Sequence, residues 1–312
     1  MKVLITGATG LVGKEIVRVL HDKNVTVHYL TRSTRKIHSD SNYKGFYWNP
    51  SKGELDPKSL EGVQTIINLA GATIANRWTK SFKRKIMESR VESLKTLKKA
   101  LDGSDISGIQ SIISASAIGI YPNSLSKFYD ESEKEVDDSF LGSVVQQWEN
   151  AANEFKDLGL KVAKIRIGVV LSKSGGALPK MARPVQLYLG AAFGSGEQWQ
   201  SWIHIEDLAQ LFVYIVENGL KGTFNAVAPN PVTQSKMTKI LGRVLNKPIW
   251  LPNIPKFAMQ GLLGEMSYLL FASQRVSSKR IEKKGFVFQY PNLEPALMNL
   301  YGQEKKESYI VE

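Results

Sequence analysis

The 312-residue chain has room for about two ordinary domains, or for one large α/β unit with an appended lobe. Its 43% hydrophobic and 22% charged residues exclude a disordered, collagen-like or mucin-like protein, and its lack of cysteine excludes disulfides, thiolate zinc sites, Fe–S clusters and a cysteine nucleophile. The net charge of +12 (41 basic minus 29 acidic residues) raises nucleic acid as a partner, and an anionic small molecule equally.

The four histidines, His21, His28, His38 and His204, show no metal-binding spacing, so no metal is expected. No apolar run approaches the roughly 18 residues that cross a bilayer. Lys2-Val3-Leu4-Ile5 lacks the layout of a signal peptide, so the expected location is the cytoplasm, with no membrane partner.

In chain order, Val3–Thr6 is predicted as a buried strand, followed by glycines and a helix ending near His21. Val25–Leu30 is a second strand, rich in β-branched and aromatic residues. Thr65–Ala70 and Ser111–Ser116 are further short apolar runs, with a basic helix between them. In that helix Phe82, Ile86, Val91, Leu94 and Leu97 recur at helical spacing, which turns the basic residues between Lys80 and Lys99 toward water. A solvated face explains this charge better than nucleic-acid binding, for which no RNP, KH or zinc-finger pattern is present.

Trp148–Leu158 is predicted helical and Val162–Ile167 a strand. Strands that are nearly continuously apolar and alternate with helices imply an α/β fold, a doubly wound parallel sheet covered on both faces. After Gly168 the rhythm breaks at Ser174-Gly175-Gly176, Leu178-Pro179 and Gly194-Ser195-Gly196. A helix over Ile205–Glu217 and a strand over Thr223–Val227 return to the sheet. From Pro229 onward, short helices separated by prolines suggest a small, mainly helical lobe. The expected division is a dinucleotide-binding Rossmann domain over 1–167 with return elements at about 200–228, and a substrate lobe from 168–199 and 229–312.

Thr6-Gly7-Ala8-Thr9-Gly10-Leu11-Val12-Gly13 is a GxxGxxG motif set between strand and helix. Glycines let the backbone turn sharply and approach a pyrophosphate, and the helix start offers free N–H groups and a positive dipole end. At the end of the second strand an NAD site normally carries Asp or Glu for the ribose hydroxyl. Here Thr31-Arg32-Ser33 stands there, with Arg35 and Lys36 following, and an arginine suits a 2′-phosphate. NADP is therefore the expected cofactor.

With these segments the chain resembles the atypical extended short-chain dehydrogenase/reductases, in the branch called the epimerase family. The resemblance spans nearly the whole chain. It is carried by Thr6–Gly13, Asn68–Gly71, Arg77-Trp78-Thr79, Ser114–Gly119, Trp148-Glu149 and Arg166–Ser172, then by Gly194–Gly196, Ser201–His204, Ala228–Thr233, Gln274–Val276 and Gly285-Phe286. It implies NADP across the strand ends and a C-terminal lobe closing a cleft over a small-molecule substrate of unknown identity. It also implies that Asn68, Leu69, Ala70, Gly71 and Ser114 line the cofactor, that Arg77 reaches a phosphate, and that Gly168 and Val169 flank the nicotinamide ribose. The implied function is oxidoreductase or epimerase.

The family's Tyr-x-x-x-Lys pair is absent: Val144 and Trp148 occupy those positions, and neither ionises. Ser116 stands where the family has its substrate-orienting serine, as a catalytic group or a plain structural hydroxyl. Tyr121 is a displaced acid or a packed turn tyrosine. His204 is an acid–base group or, with Asp207, an ordering residue for the helix that follows. Trp78, Trp148, Trp199 and Trp202 either stack on a ring-shaped substrate or pack the lobe. The missing pair leaves open an NADP-binding sensor that has lost catalysis. The acidic run Asp130–Glu133 has no assigned role.

Overall fold

The computed structural model describes residues 1–302; residues 303–312 of the expected lobe lie outside the described residues. The first half of the chain contributes β1 (Lys2–Thr6), α1 (Leu11–Asp22), β2 (Thr26–Thr31), β3 (Tyr43–Asn49), β4 (Glu54–Leu55), β5 (Thr65–Asn68), α2 (Lys80–Asp102), β6 (Ser111–Ala117), β7 (Phe128–Tyr129) and α3 (Phe140–Asn153). The second adds β8 (Lys161–Ile167), β9 (Val169–Leu171), α4 (Leu178–Gln186), β10 (Trp199–Gln200), β11 (Trp202–His204), α5 (Ile205–Glu217) and β12 (Gly222–Ala226). From there follow β13 (Val232–Thr233), α6 (Gln234–Val244), α7 (Lys256–Leu263), α8 (Tyr268–Phe271), β14 (Arg275–Val276), α9 (Lys279–Glu282) and α10 (Leu293–Tyr301).

Eight strands form one sheet in the order β12-β8-β6-β5-β1-β2-β3-β4, parallel throughout except for β4 at its edge. Val3, Leu4 and Ile5 are all fully buried, so β1 is covered on both faces, as a strand without apolar–polar alternation requires. Helix α1 lays Ile16, Val19 and Leu20 on the sheet at helical spacing, and α5 packs beside it. The winding runs from β1 outward to β3, then returns to β5 and proceeds the other way. The crevice at this reversal lies between β1 and β5. A second core joins α4, α6 and α10 of the lobe around Leu178, Val185, Leu241 and Leu297.

Two expectations change. The helix predicted from Trp148 starts at Phe140, because the Ser139 hydroxyl accepts the Gly142 N–H and caps it there. It ends in a tighter turn at Glu154–Leu158, stopped by Gly159 at φ +76°. Strand β3 was not anticipated. Gly45 interrupts its aromatic run, and it must be glycine because the ring of Tyr29 packs directly on that backbone. No helix among the described residues is long and apolar enough to cross a membrane.

Candidate cofactor and substrate site

The turn after β1 is shaped by three glycines. Gly7 has φ +75° and its carbonyl accepts the Gly10 N–H at 2.9 Å. A Cβ on Gly13 would stand 2.2 Å from the Gly7 carbonyl oxygen, so α1 can approach the turn only with glycine there. Gly10 begins α1 with no side-chain cap and no acidic residue in the first turn, leaving the helix-end N–H groups for an anion. Thr9 and Gly10 are exposed, whereas Leu11 and Val12 are half-buried. Leu11 touches the loop at Gly175 and Gly176, so that loop sits against the glycine motif.

A polar belt ties the neighbouring strand ends. The Thr6 hydroxyl donates to Asn68 Oδ1 at 2.7 Å and accepts the N–H groups of Leu69 and Ala70 at 3.1 Å. Asn68 Nδ2 donates to Ser114 Oγ at 3.3 Å. Asn68 and Ser114 are buried in this belt; Leu69 and Ala70 are half-buried, and Gly71 and Arg77 are exposed. At the end of β2 the Thr31 hydroxyl accepts the Ser33 N–H. Arg32, Arg35 and Lys36 are exposed, and no carboxylate pairs with them among the described residues. Gly168 turns the chain from β8 into β9; a Cβ there would stand 2.4 Å from the Ser201 carbonyl oxygen. Val169 then donates its N–H to that same oxygen at 2.8 Å.

Ser116 is buried, and its hydroxyl donates to Glu149 Oε1 at 2.7 Å. Glu149 also takes Arg166 Nε at 2.8 Å, Arg166 Nη2 at 3.1 Å and Lys164 Nζ at 3.0 Å. Burial works to raise this carboxyl, but the two cations and the serine hydroxyl prevail and hold it below the usual carboxylate range. Tyr121 has no exposed surface. Its hydroxyl donates to Asn225 Oδ1 at 2.7 Å and accepts Arg166 Nη1 at 3.0 Å. Burial pushes its phenol up to about 12 against the opposing pull of Arg166. Both sides of its hydroxyl are thus engaged within the fold.

His204 sits at the start of α5, where its Nδ1 accepts the Glu206 N–H at 3.2 Å. Burial pushes it down to about 4, so it is neutral near pH 7. Asp207 does not cap that helix; it accepts the Gln289 and Tyr290 N–H groups and ties down the C-terminal segment. Among the tryptophans, Trp202 is fully enclosed in the lobe core and Trp148 in the main core, while Trp199 stacks on Arg275. Trp78 lines a cavity of about 480 Å³ between the sheet domain and the lobe, together with Asn123, Phe140, Lys256, Tyr268 and Phe271. Ser116 is not in its lining, which includes Asn123 and the start of α3 at Ser139 and Phe140.

One residue of the basic helix does not follow its neighbours toward water. Arg90 lies on the inward face with Ile86 and Leu94, four residues to either side, a spacing visible in the sequence. It donates to the Ile86 carbonyl at 2.9 Å and the Ala72 carbonyl at 3.2 Å, with its guanidinium 5.1 Å from the centre of the Trp148 ring.

A model of the NAD dependent epimerase/dehydratase family matches residues 3–227. The chain belongs to that family. Residues 254–300 match a domain of unknown function, the C-terminal part of the lobe. An "Epimerase family protein" of Staphylococcus aureus is 37% identical over 300 residues, 95% of this chain and 98% of the relative. The crystal structure of human epimerase family protein SDR39U1 with NADPH superposes with a TM-score of 0.83 at 28% identity, covering 96% of this chain and 99% of the other. A UDP-glucuronic acid 4-epimerase of Bacillus cereus, solved with UDP-glucuronic acid and NAD, has a TM-score of 0.77 over 96% of this chain and 98% of its own, but only 14% identity, a likeness of fold alone. Against the family's Tyr-x-x-x-Lys pattern, Val144 and Trp148 are both buried apolar positions on α3.

Proposed function

We propose that this family member binds NADP(H) and is an oxidoreductase or epimerase acting on a small molecule. The observation that carries the cofactor reading is the end of β2: no carboxylate waits for a ribose hydroxyl, and Arg32 stands exposed and unpaired beside the uncapped start of α1. That the human relative was solved with NADPH supports it. When bound, the cofactor supplies or accepts a hydride at a substrate carbon.

This chain's own groups then prepare the substrate oxygen. With its proton committed to Glu149, Ser116 is left with acceptor lone pairs, which suit the hydroxyl of a carbinol better than a carbonyl. Tyr121 takes no part, since both sides of its hydroxyl are engaged in a sealed interior. A second reading, an NADP-binding sensor without turnover, is favoured by one observation: Val144 and Trp148 bring no acid where the family has its tyrosine and lysine. NADPH oxidation over a panel of aldehydes, ketones and nucleotide sugars separates the two.

Calorimetric titration tests the cofactor. Arg32→Ala is expected to weaken NADPH by roughly tenfold to a hundredfold and to leave NADH unchanged, because only NADPH offers a 2′-phosphate. Wild-type protein that binds NADH as tightly as NADPH overturns the reading. So does an Arg32, Arg35 and Lys36 triple alanine variant that keeps the NADPH preference.

A further inference from the structure

Helix α2 forms its ion pairs through Lys83, Arg84, Lys95 and Lys98, all reaching acids at the surface. Arg90 has none. Its guanidinium is half-buried between the Trp148 ring and the chain at Gly71, and its hydrogen bonds among the described residues go to backbone carbonyls. Burial lowers it to about 10. Two of its five N–H groups serve the Ile86 and Ala72 carbonyls, and the rest have no protein partner among the described residues. A partly desolvated cation without a countercharge is costly, and two backbone carbonyls offset only part of that cost. The Ala72 N–H is already held by Ser89 at 2.8 Å, so the loop has a second tether that carries no charge.

Its location is specific. A Cβ on Gly71 would stand 3.2 Å from Arg90 Cζ, so the guanidinium lies directly against Gly71, an exposed residue of the loop after β5. The crevice lies between β1 and β5, and Arg32 at β2 marks the adenosine side. The β5–β6 side therefore receives the other half of a dinucleotide lying across the strand ends. Trp148, on which the guanidinium stacks, stands at the position of the family's lysine.

We propose that Arg90 is the cation that serves the nicotinamide half of the dinucleotide, delivered from α2 to the place where α3 carries tryptophan instead of lysine. The proposal rests on the NADP(H) reading above. The guanidinium donates to the nicotinamide ribose hydroxyls, and its charge disfavours the positively charged oxidised ring relative to the neutral reduced one.

The test compares three ligands by titration of the whole protein: NADPH, NADP⁺ and 2′,5′-ADP, which keeps the adenosine half and the 2′-phosphate but lacks the nicotinamide half. Arg90→Gln removes the charge while keeping a donor for the Ala72 carbonyl. It is expected to weaken NADPH about tenfold, leave 2′,5′-ADP within about twofold, and lower the preference for NADPH over NADP⁺. Arg90→Lys, which keeps the charge, is expected to recover most of the loss, and it carries the same comparison if the glutamine variant is insoluble. Equal weakening of NADPH and 2′,5′-ADP means that Arg90 merely shapes the loop and overturns the proposal, as does no change in either. Wild-type protein that binds 2′,5′-ADP but gains nothing from the nicotinamide half sinks this proposal alone. Binding of none of the three sinks the NADP(H) reading with it.

Discussion

The hydroxyl of Ser116 donates to a carboxylate oxygen of Glu149 at 2.7 Å, so this serine near the end of β6 is held by a buried acid that two cations also hold. Ser116 and Arg166 face each other in the β6–β8 ladder, and α3 brings Glu149 down onto both. This quartet fixes which way the serine's lone pairs point.

Glu149→Gln is expected to cost about 3–5 kcal/mol, since it leaves the buried Arg166 without its countercharge. Urea unfolding measures it. The native carboxyl titrates below its unfolded value, so its contribution is present above the ordinary carboxylate range and fades as pH falls through the lower native value. The variant's stability profile should therefore be flatter on the acid side; a profile parallel to wild type refutes the assignment.

Ser116→Ala and Tyr121→Phe form a discriminating pair. Loss of the serine hydroxyl should lower turnover about tenfold to a hundredfold while NADPH affinity stays constant, with stability falling by only about 1 kcal/mol. Loss of the phenol hydroxyl should do the reverse. It strands Asn225 and an Arg166 N–H, costs about 1–3 kcal/mol in thermal or urea unfolding, and leaves turnover of the folded protein unchanged.

His204 provides a pH test. Its native value of about 4 lies below the ordinary histidine value of 6.5, so the unfolded chain binds the extra proton between them. Stability from this residue is complete above pH 6.5 and declines as pH falls toward 4, by at most ~3 kcal/mol. His204→Asn keeps an oxygen to cap α5 and removes the titration. The stability difference between variant and wild type should change sign or shrink across that window; a constant difference from pH 7 to 4 contradicts it.

Gly13→Ala should weaken dinucleotide binding, because its methyl group would meet the Gly7 carbonyl and force α1 away from the turn. At least a tenfold loss of NADPH affinity in a protein that remains folded by circular dichroism is expected. Retention of wild-type affinity would show that the turn is not the pyrophosphate site.

The parallel sheet was legible in the residues because burial on both faces leaves no polar alternation: Val3–Ile5, Ile66-Ile67 and Ile112-Ile113 are continuous apolar runs set between helices. The glycine turn was legible as well, since a close backbone approach admits only one residue type. Helix α5 was legible to its first residue, with His204 marking the start. Strand β3 was not, because its pattern depends on Gly45 receiving the ring of Tyr29 from a neighbouring strand. The partners of the buried polar groups were decided by tertiary structure. Arg90 reads as one more cation in a basic helix until its contacts with Trp148 and Gly71 are seen, and Tyr121 reads as either a displaced acid or a packed tyrosine until Asn225, 104 residues later in the chain, accepts its hydrogen bond. Local pattern reports which face of an element is apolar. The partner that a buried charge or hydroxyl meets is set by residues far away in sequence, whose distances exist only once the sheet has formed.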